Sequence, residues 1–333
     1  MNKPLVSILC VTYNHAQFIR SCLKSLVGQK CNFNFEILIH DDASTDNTQA
    51  IIKEFQQDYP HLIKPILQTE NQWSKKEGSI NLRFNYPRAQ GKYLALCDGD
   101  DFWIGSDKLQ KQVEILEKYP ECSITSGAYL MICKGKEDVE YQNKNQSGAQ
   151  DTKNDFFFEL EDVSNNFFIK PSTILFRNMP HLLQQLQKYE FCVDMHVFYL
   201  LLKAGKGYYS REVMAGYNKH PGGVYSGSSS QEILLTQYVI LKDIYDKDGD
   251  EYIRKKYIAL AFLMINLKLS GLMPAKKISQ ESMRNRNPDI YKIMKTIKPT
   301  LKTKAERQRF YKALIPIQAK VAKQKLKNLL SRK

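Results

Sequence analysis

Paired cysteines are missing from this 333-residue chain: its seven, at 10, 22, 31, 97, 122, 133 and 192, are odd in number, scattered and never spaced as C-x-x-C. That argues against a disulfide framework or a zinc site and for reduced, buried thiols in a cytoplasmic setting. No G-x-G-x-x-G follows the first hydrophobic run and no G-x-x-x-x-G-K-[ST] occurs, so neither a dinucleotide fold nor a P-loop is indicated. A bilayer-spanning run is lacking too, because the apolar stretch 257–273 is interrupted by Asn266 and Lys268. The first core strand is expected within five residues of the start, which leaves no room for a signal peptide.

Charge is plentiful but uneven. The net charge is +14, yet residues 291–333 hold 14 Lys and Arg against Glu306 alone, leaving about +1 for the first 290 residues. Phe310, Leu314, Ile317 and Val321 recur at helical spacing in that tail, followed by Ala322, Leu326, Leu329 and Leu330, with a kink expected at Pro316. A basic amphipathic helix of this kind reads as an element that lies on an anionic membrane; a solvated helix packed on the core is the other reading. Nucleic acid is not indicated, since no aromatic-interleaved basic groove accompanies the charge.

Strands and helices alternate over the first hundred residues. Val6 to Val11 is a short apolar run ending at Thr12-Tyr13-Asn14-His15, and Phe18, Cys22, Leu23 and Leu26 follow at helical spacing. Phe35 to Ile39 ends in His40-Asp41-Asp42, after which Ser44, Thr45 and Asp46 offer N-caps to a helix carrying Ile51, Ile52 and Phe55. Ile63 to Leu67 is a third strand, Ile80 to Ala89 a helix, and Tyr93 to Cys97 a fourth strand. Such alternation predicts an α/β fold with a mostly parallel sheet flanked by helices.

The fourth strand runs into Asp98-Gly99-Asp100-Asp101, three carboxylates within four residues. Crowded carboxylates repel one another, and a hard divalent cation such as Mg²⁺ or Mn²⁺ relieves that while leaving positions for substrate phosphates. The C-terminal edge of an open α/β sheet is also where ligands bind. A solvated acidic turn is the plain alternative.

Taken in order, VSILCVTYNHAQFIRSCLKSL, FEILIHDDASTDNT, GKYLALCDGDDFW with DKLQKQVEIL, and VDMHVFYLLLKAGKGYYSREVMAGYNKHPGGVYS resemble the family 2 glycosyltransferases over about residues 1–230. The resemblance implies a GT-A fold, a nucleotide-sugar donor and inversion at the anomeric carbon. It implies that Tyr13 stacks on the donor's base, with Thr12 and Asn14 shaping the same turn, and that Asp42 accepts from the base; Asp41 faces the other side, and a capping role for Asp42 stays open. Asp98 and Asp100 match the family's Asp-x-Asp, with Asp98 beside the ribose and the metal's waters, Asp100 on the ion and Asp101 bracing the loop.

By the same resemblance Asp194 is the base that deprotonates the acceptor hydroxyl, although an Asp favoured by a helix N-terminus would look alike. Met195 stands where the family more often has an aromatic, Val193 where it often has an acid, and His196 is either a partner of the base or simply packed. His220 would reach the metal or diphosphate, Asn218 replaces the commoner Arg, and the stretch Gly222 to Ser230 is a lid or a linker. Lys75, Lys76 and Arg83 are cationic candidates for the diphosphate. Residues 134–165, polar apart from Phe156, Phe157 and Phe158, read as an exposed insertion.

The organisation expected is a GT-A domain over 1–230, with a nucleotide-sugar half at 1–103 and an acceptor half at 104–230, then a helical region 231–333 that is strongly basic from 291. The activity expected is metal-dependent transfer of a sugar, from a UDP-sugar, to a glycan or lipid-linked glycan in cell-surface polysaccharide synthesis at the inner face of the plasma membrane. A nucleotidyltransferase that makes a nucleotide-sugar, or a non-catalytic sugar-nucleotide-binding protein, are the alternatives. The first lacks its usual Gly-rich basic loop in VTYNHAQF, and the second sits badly with intact Asp42, Asp98, Asp100 and Asp194.

Overall fold

The computed structural model describes residues 3–75, 79–133, 136–140, 154–163, 169–179, 181–189, 192–223, 230–269 and 298–308. The chain divides into two compact units, Met1–Pro221 and Gly222–Lys333.

In the first unit β1 (Val6–Thr12), α1 (Ile19–Val27), β2 (Phe35–Asp41), α2 (Thr48–Asp58), β3 (Ile63–Leu67) and β4 (Tyr93–Leu96) alternate as expected. β1 pairs in parallel with β2 and β4, and β2 with β3. The inward positions of these strands are apolar: Val6, Ile8, Cys10, Ile37, Ile39 and Ala95 are fully buried against Ile19, Leu23, Leu26 and Ile52 of the helices.

The sheet then leaves sequence order. β5 (Phe102–Trp103), α3 (Lys108–Lys118), β6 (Cys122–Cys133), β7 (Lys136–Glu140), β8 (Phe156–Phe158), α4 (Leu160–Val163), β9 (Leu175–Arg177), α5 (Leu182–Gln187), α6 (Asp194–Ala204) and β10 (Lys206–Lys219) complete the unit. The strand order is β3-β2-β1-β4-β9-β6-β10-β5, with β7 on β6 and β8 on β10. The short β9 runs antiparallel to both β4 and β6 and so joins the two halves of one sheet. Gly216 of β10 lets the Phe102 ring cross it, since a Cβ there would lie 2.3 Å from that ring.

Two expectations change. Residues 80–89 do not form a regular helix: Asn81–Asn85 is a π-helical turn and Tyr86–Arg88 a 3₁₀ turn. Pro87 lacks an amide donor and disfavours helical geometry before it, while the buried Asn85 turns its side chain to the Cys10 carbonyl at 3.2 Å. The segment 134–165, where described, is woven into the sheet by β7 and β8, and Phe158 is fully buried.

In the second unit α7 (Ser230–Asp248) packs with α8 (Glu251–Leu269). Gly249, at φ 65°, ends α7 in the left-handed conformation, and the Asp250 carboxylate accepts the amides of Tyr252 and Ile253 to start α8. Arg254, 1 % exposed, holds the Thr300 carbonyl at 2.7 Å and Glu306, while the Tyr257 hydroxyl meets Thr300 Oγ1 at 2.7 Å. The beginning of the basic region is thereby fixed to α8; the apolar stripe from Phe310 to Leu330 lies outside the described residues. Among the described residues no helix is long and apolar enough to cross a membrane.

Candidate functional site

Parallel pairing brings the C-terminal ends of β1, β2 and β4 to one edge. The turns after β1 and β2 are laced together there: Asn14 N donates to Ser44 Oγ (2.8 Å), Thr45 N to Asn14 Oδ1 (2.8 Å), His15 N to Thr48 Oγ1 (2.9 Å) and Ala16 N to Asp46 Oδ2 (3.0 Å). Asn14 has φ 53° and Ala43 φ 64°; Asn tolerates that region, whereas for Ala43 it stores strain beside the site. Asp41, buried, braces the turn by accepting from Ser44 N, Ser44 Oγ and Gln49 Nε2.

On this frame Tyr13 is 43 % exposed and Thr12 is buried. Asp42, 2 % exposed, spends one oxygen on the amide of Gln72 (2.8 Å) and the other on that of Trp73 (3.0 Å). Arg83 donates to the Gln72 carbonyl and side chain at 3.4 Å, with its guanidinium 4.9 Å from the Phe84 ring centre. Lys75 pairs with Glu70 at 3.0 Å, and Lys76 lies outside the described residues.

The acidic turn after β4 is pressed onto β1. Gly99 N donates to the Val11 carbonyl at 2.9 Å, and a Cβ on Gly99 would lie 2.5 Å from Thr12 Oγ1 and 3.2 Å from His15 Nδ1. The far end of β10 closes the other side: Asn218 Nδ2 donates to the Asp100 carbonyl (2.6 Å), Asn218 N to Asp101 Oδ1 (3.2 Å), and His220 Nε2 lies 3.0 Å from Asp100 Oδ2. His15 Nε2 is 3.8 Å from the same oxygen. One ligand atom each from His15, Asp100 and His220 fall within 4.8 Å of one another; Asp98 stands outside that group.

The electrostatics fit a cation. Burial, then the like charges of Asp100, Asp194 and Asp101, pushes the Asp98 carboxyl well up. Burial and Asp100 push Asp101 up to about 7, against the Asn218 amide and Lys170. Burial lowers His15, against the attraction of Asp100, and favours the neutral imidazole that binds metals. His15 Nδ1 and Thr12 Oγ1 are buried without a partner among the described residues. Two imidazoles and a carboxylate suit a divalent transition ion.

Asp194 opens α6 and is within electrostatic reach of Asp98. Burial raises it to about 6, with Lys170 opposing. His196 is fully buried, accepts the Val193 amide on Nδ1 (3.2 Å) and packs on Tyr189 at 4.4 Å between ring centres, which fixes the turn that presents Asp194. Gly222 and Gly223 begin the second unit, and residues 224–229 of the expected lid lie outside the described residues.

The sequence pattern assigns no role to His15 or Lys170. His15 shares the turn of Tyr13 and Asn14, which was its one signal. Lys170, with Nζ 4.3 Å from the Tyr217 ring centre, had none.

Residues 7–177 match the model of glycosyl transferase family 2. The chain belongs to that family. A 225-residue stretch, 66 % of the chain, is 31 % identical to an uncharacterized protein of Mycobacterium tuberculosis and spans 60 % of that relative's length. Two solved structures share the fold: S. aureus TarS 1-349 in complex with UDP-GlcNAc (TM-score 0.54, 16 % identity, 93 % of this chain and 79 % of that one), and the mannosyltransferase PcManGT from Pyrobaculum calidifontis in complex with GDP-Man and Mn²⁺ (TM-score 0.52, 14 % identity, 100 % and 89 %). The curled sheet flanked by helices is therefore of GT-A type.

Proposed function

We propose that this family 2 member is an inverting, metal-dependent glycosyltransferase that moves a sugar from a UDP-sugar to a glycan or lipid-linked glycan in cell-surface polysaccharide synthesis. The observation that carries the reading is the meeting of His15, Asp100 and His220 at the ligand edge of the sheet.

His15, Asp100 and His220 would hold the divalent ion, and Asp98 would lie beside its waters and the ribose. When bound, the ion offsets the charge of the departing nucleoside diphosphate. Tyr13 offers an exposed ring to the base, and Thr12, Asn14 and Asp42 shape that end, with Arg83 behind the Gln72 turn. Asp194 takes the proton from the acceptor hydroxyl as that oxygen attacks the anomeric carbon from the face opposite the leaving group. A single displacement of this kind inverts the centre. A base held near pKa 6 is ionised at neutral pH and still accepts a proton readily. TarS and PcManGT, which bind UDP-GlcNAc and GDP-Man, support a nucleotide-sugar donor.

Residues 309–333, with eight Lys and Arg and no acid, would hold the enzyme at the cytoplasmic face of an anionic membrane. Thermal-shift screening of UDP- and GDP-sugars with and without Mn²⁺ tests the donor: stabilisation by a UDP-sugar that grows with Mn²⁺ is expected, and no shift with any nucleotide-sugar would sink the reading.

A further inference from the structure

We infer that Thr12 is a positioning residue for the metal site: its hydroxyl accepts the Nδ1 proton of His15 and so keeps the lone pair of Nε2 turned toward Asp100. The inference rests on the metal reading above. Thr12 closes β1 and is 1 % exposed, and His15 follows three residues on, in the turn that leaves the strand. An imidazole that binds a metal is neutral and carries one proton, so the nitrogen away from the ion must hold it. His15 Nε2 faces Asp100 Oδ2 at 3.8 Å, which leaves the proton to Nδ1.

A buried N–H needs an acceptor. Among the described residues Nδ1 has none, and Thr12 Oγ1 is buried without a partner as well. Both atoms face one spot: the Cβ that Gly99 lacks would lie 2.5 Å from Oγ1 and 3.2 Å from Nδ1. A donor and an acceptor orphaned on the same side of a glycine meet by a small turn of the imidazole. The carboxylates of the adjoining turn are already occupied. Asp46 accepts the amides of Ala16 and Thr48 and the Thr48 hydroxyl, and Asp41 accepts from Ser44 and Gln49. An unpaired hydroxyl at a buried strand end is unfavourable, and valine would fill the same space without it. Seating an ion on Nε2 supplies the missing bond, because it fixes on Nδ1 the proton that Oγ1 accepts.

The test is Mn²⁺ binding by the full-length chain, read by electron paramagnetic resonance of the free ion. Thr12→Val should weaken Mn²⁺ by about 10-fold, the scale seen when the outer partner of a metal-binding histidine is lost. Thr12→Ser, which keeps the hydroxyl, should restore most of the affinity, and Thr12→Val should add no further loss in a His15→Ala background. Unchanged affinity in Thr12→Val, while His15→Ala weakens the ion, overturns the inference. So does a loss that Thr12→Ser shares, or one that persists in full without His15, since either would make Thr12 a packing residue of the turn. If His15→Ala binds Mn²⁺ as tightly as wild type, the metal role of His15 fails first, and this inference falls with it.

Discussion

His220 Nε2 lies 3.0 Å from Asp100 Oδ2, joining the end of β10 to the turn after β4 across 120 residues of chain. The Asn218 bonds to Asp100 and Asp101 hold that approach, so the pair is built by the sheet rather than by a local loop. His15 completes the group from β1.

If these three side chains hold the ion, His15→Ala should weaken Mn²⁺ by at least about 10-fold, and Asp100→Asn should abolish specific Mn²⁺ binding with the fold intact. Electron paramagnetic resonance of free Mn²⁺ reads both directly. Equal Mn²⁺ affinity in wild type and Asp100→Asn would remove the assignment.

Asp194→Asn should leave donor affinity unchanged and cut the rate by roughly 10²-fold. The carboxyl is raised to about 6 and acts only when ionised, so wild-type kcat/KM should fall below that pH and level off above it. Absence of that acidic limb, or its persistence in Asp194→Asn, would mean that the residue merely starts the helix.

Gly99→Ala introduces a Cβ 2.5 Å from Thr12 Oγ1 and 3.2 Å from His15 Nδ1, both buried. The neighbours must move apart, at about 1–3 kcal/mol of stability. Mn²⁺ affinity should drop with it; chemical denaturation and metal titration of one preparation check the two together, and a variant unchanged in both would refute the close packing of the turn.

Arg254→Met strips Thr300 and Glu306 of their buried partner and should destabilise the second unit by about 1–3 kcal/mol, discounted because Glu251 and Glu306 are partly solvated. Arg254, then Lys302, holds Glu251 down to about 2. A depressed carboxylate contributes stability above its unfolded value near 4.5 that is lost as pH falls toward 2, so the wild-type margin over Arg254→Met should shrink across that window. For the same reason the membrane test needs a chain cut after Gln308, which keeps Thr300 and Glu306. That form should stay folded and lose low-salt binding to anionic liposomes; retention of binding would refute the tail's role.

The parallel half of the fold is legible in the local residue pattern. Apolar runs at 6–11, 35–39, 63–67 and 93–97, each followed by turn or helix signals, left few ways to bury their surface, and they put Tyr13, Asp42 and Asp98 at strand ends. Periodicity carries that information because it is local. The rest depends on long-range packing. The insertion of β9 between β4 and β6, the return of β10 to the acidic turn, and the recruitment of His15 to Asp100 are contacts between distant segments, which no local pattern encodes. The turn at 80–89 departed from helix for a similar reason: Asn85 gains a buried bond to the Cys10 carbonyl, a partner seventy-five residues away, and Pro87 cannot supply the amide a regular helix would need there.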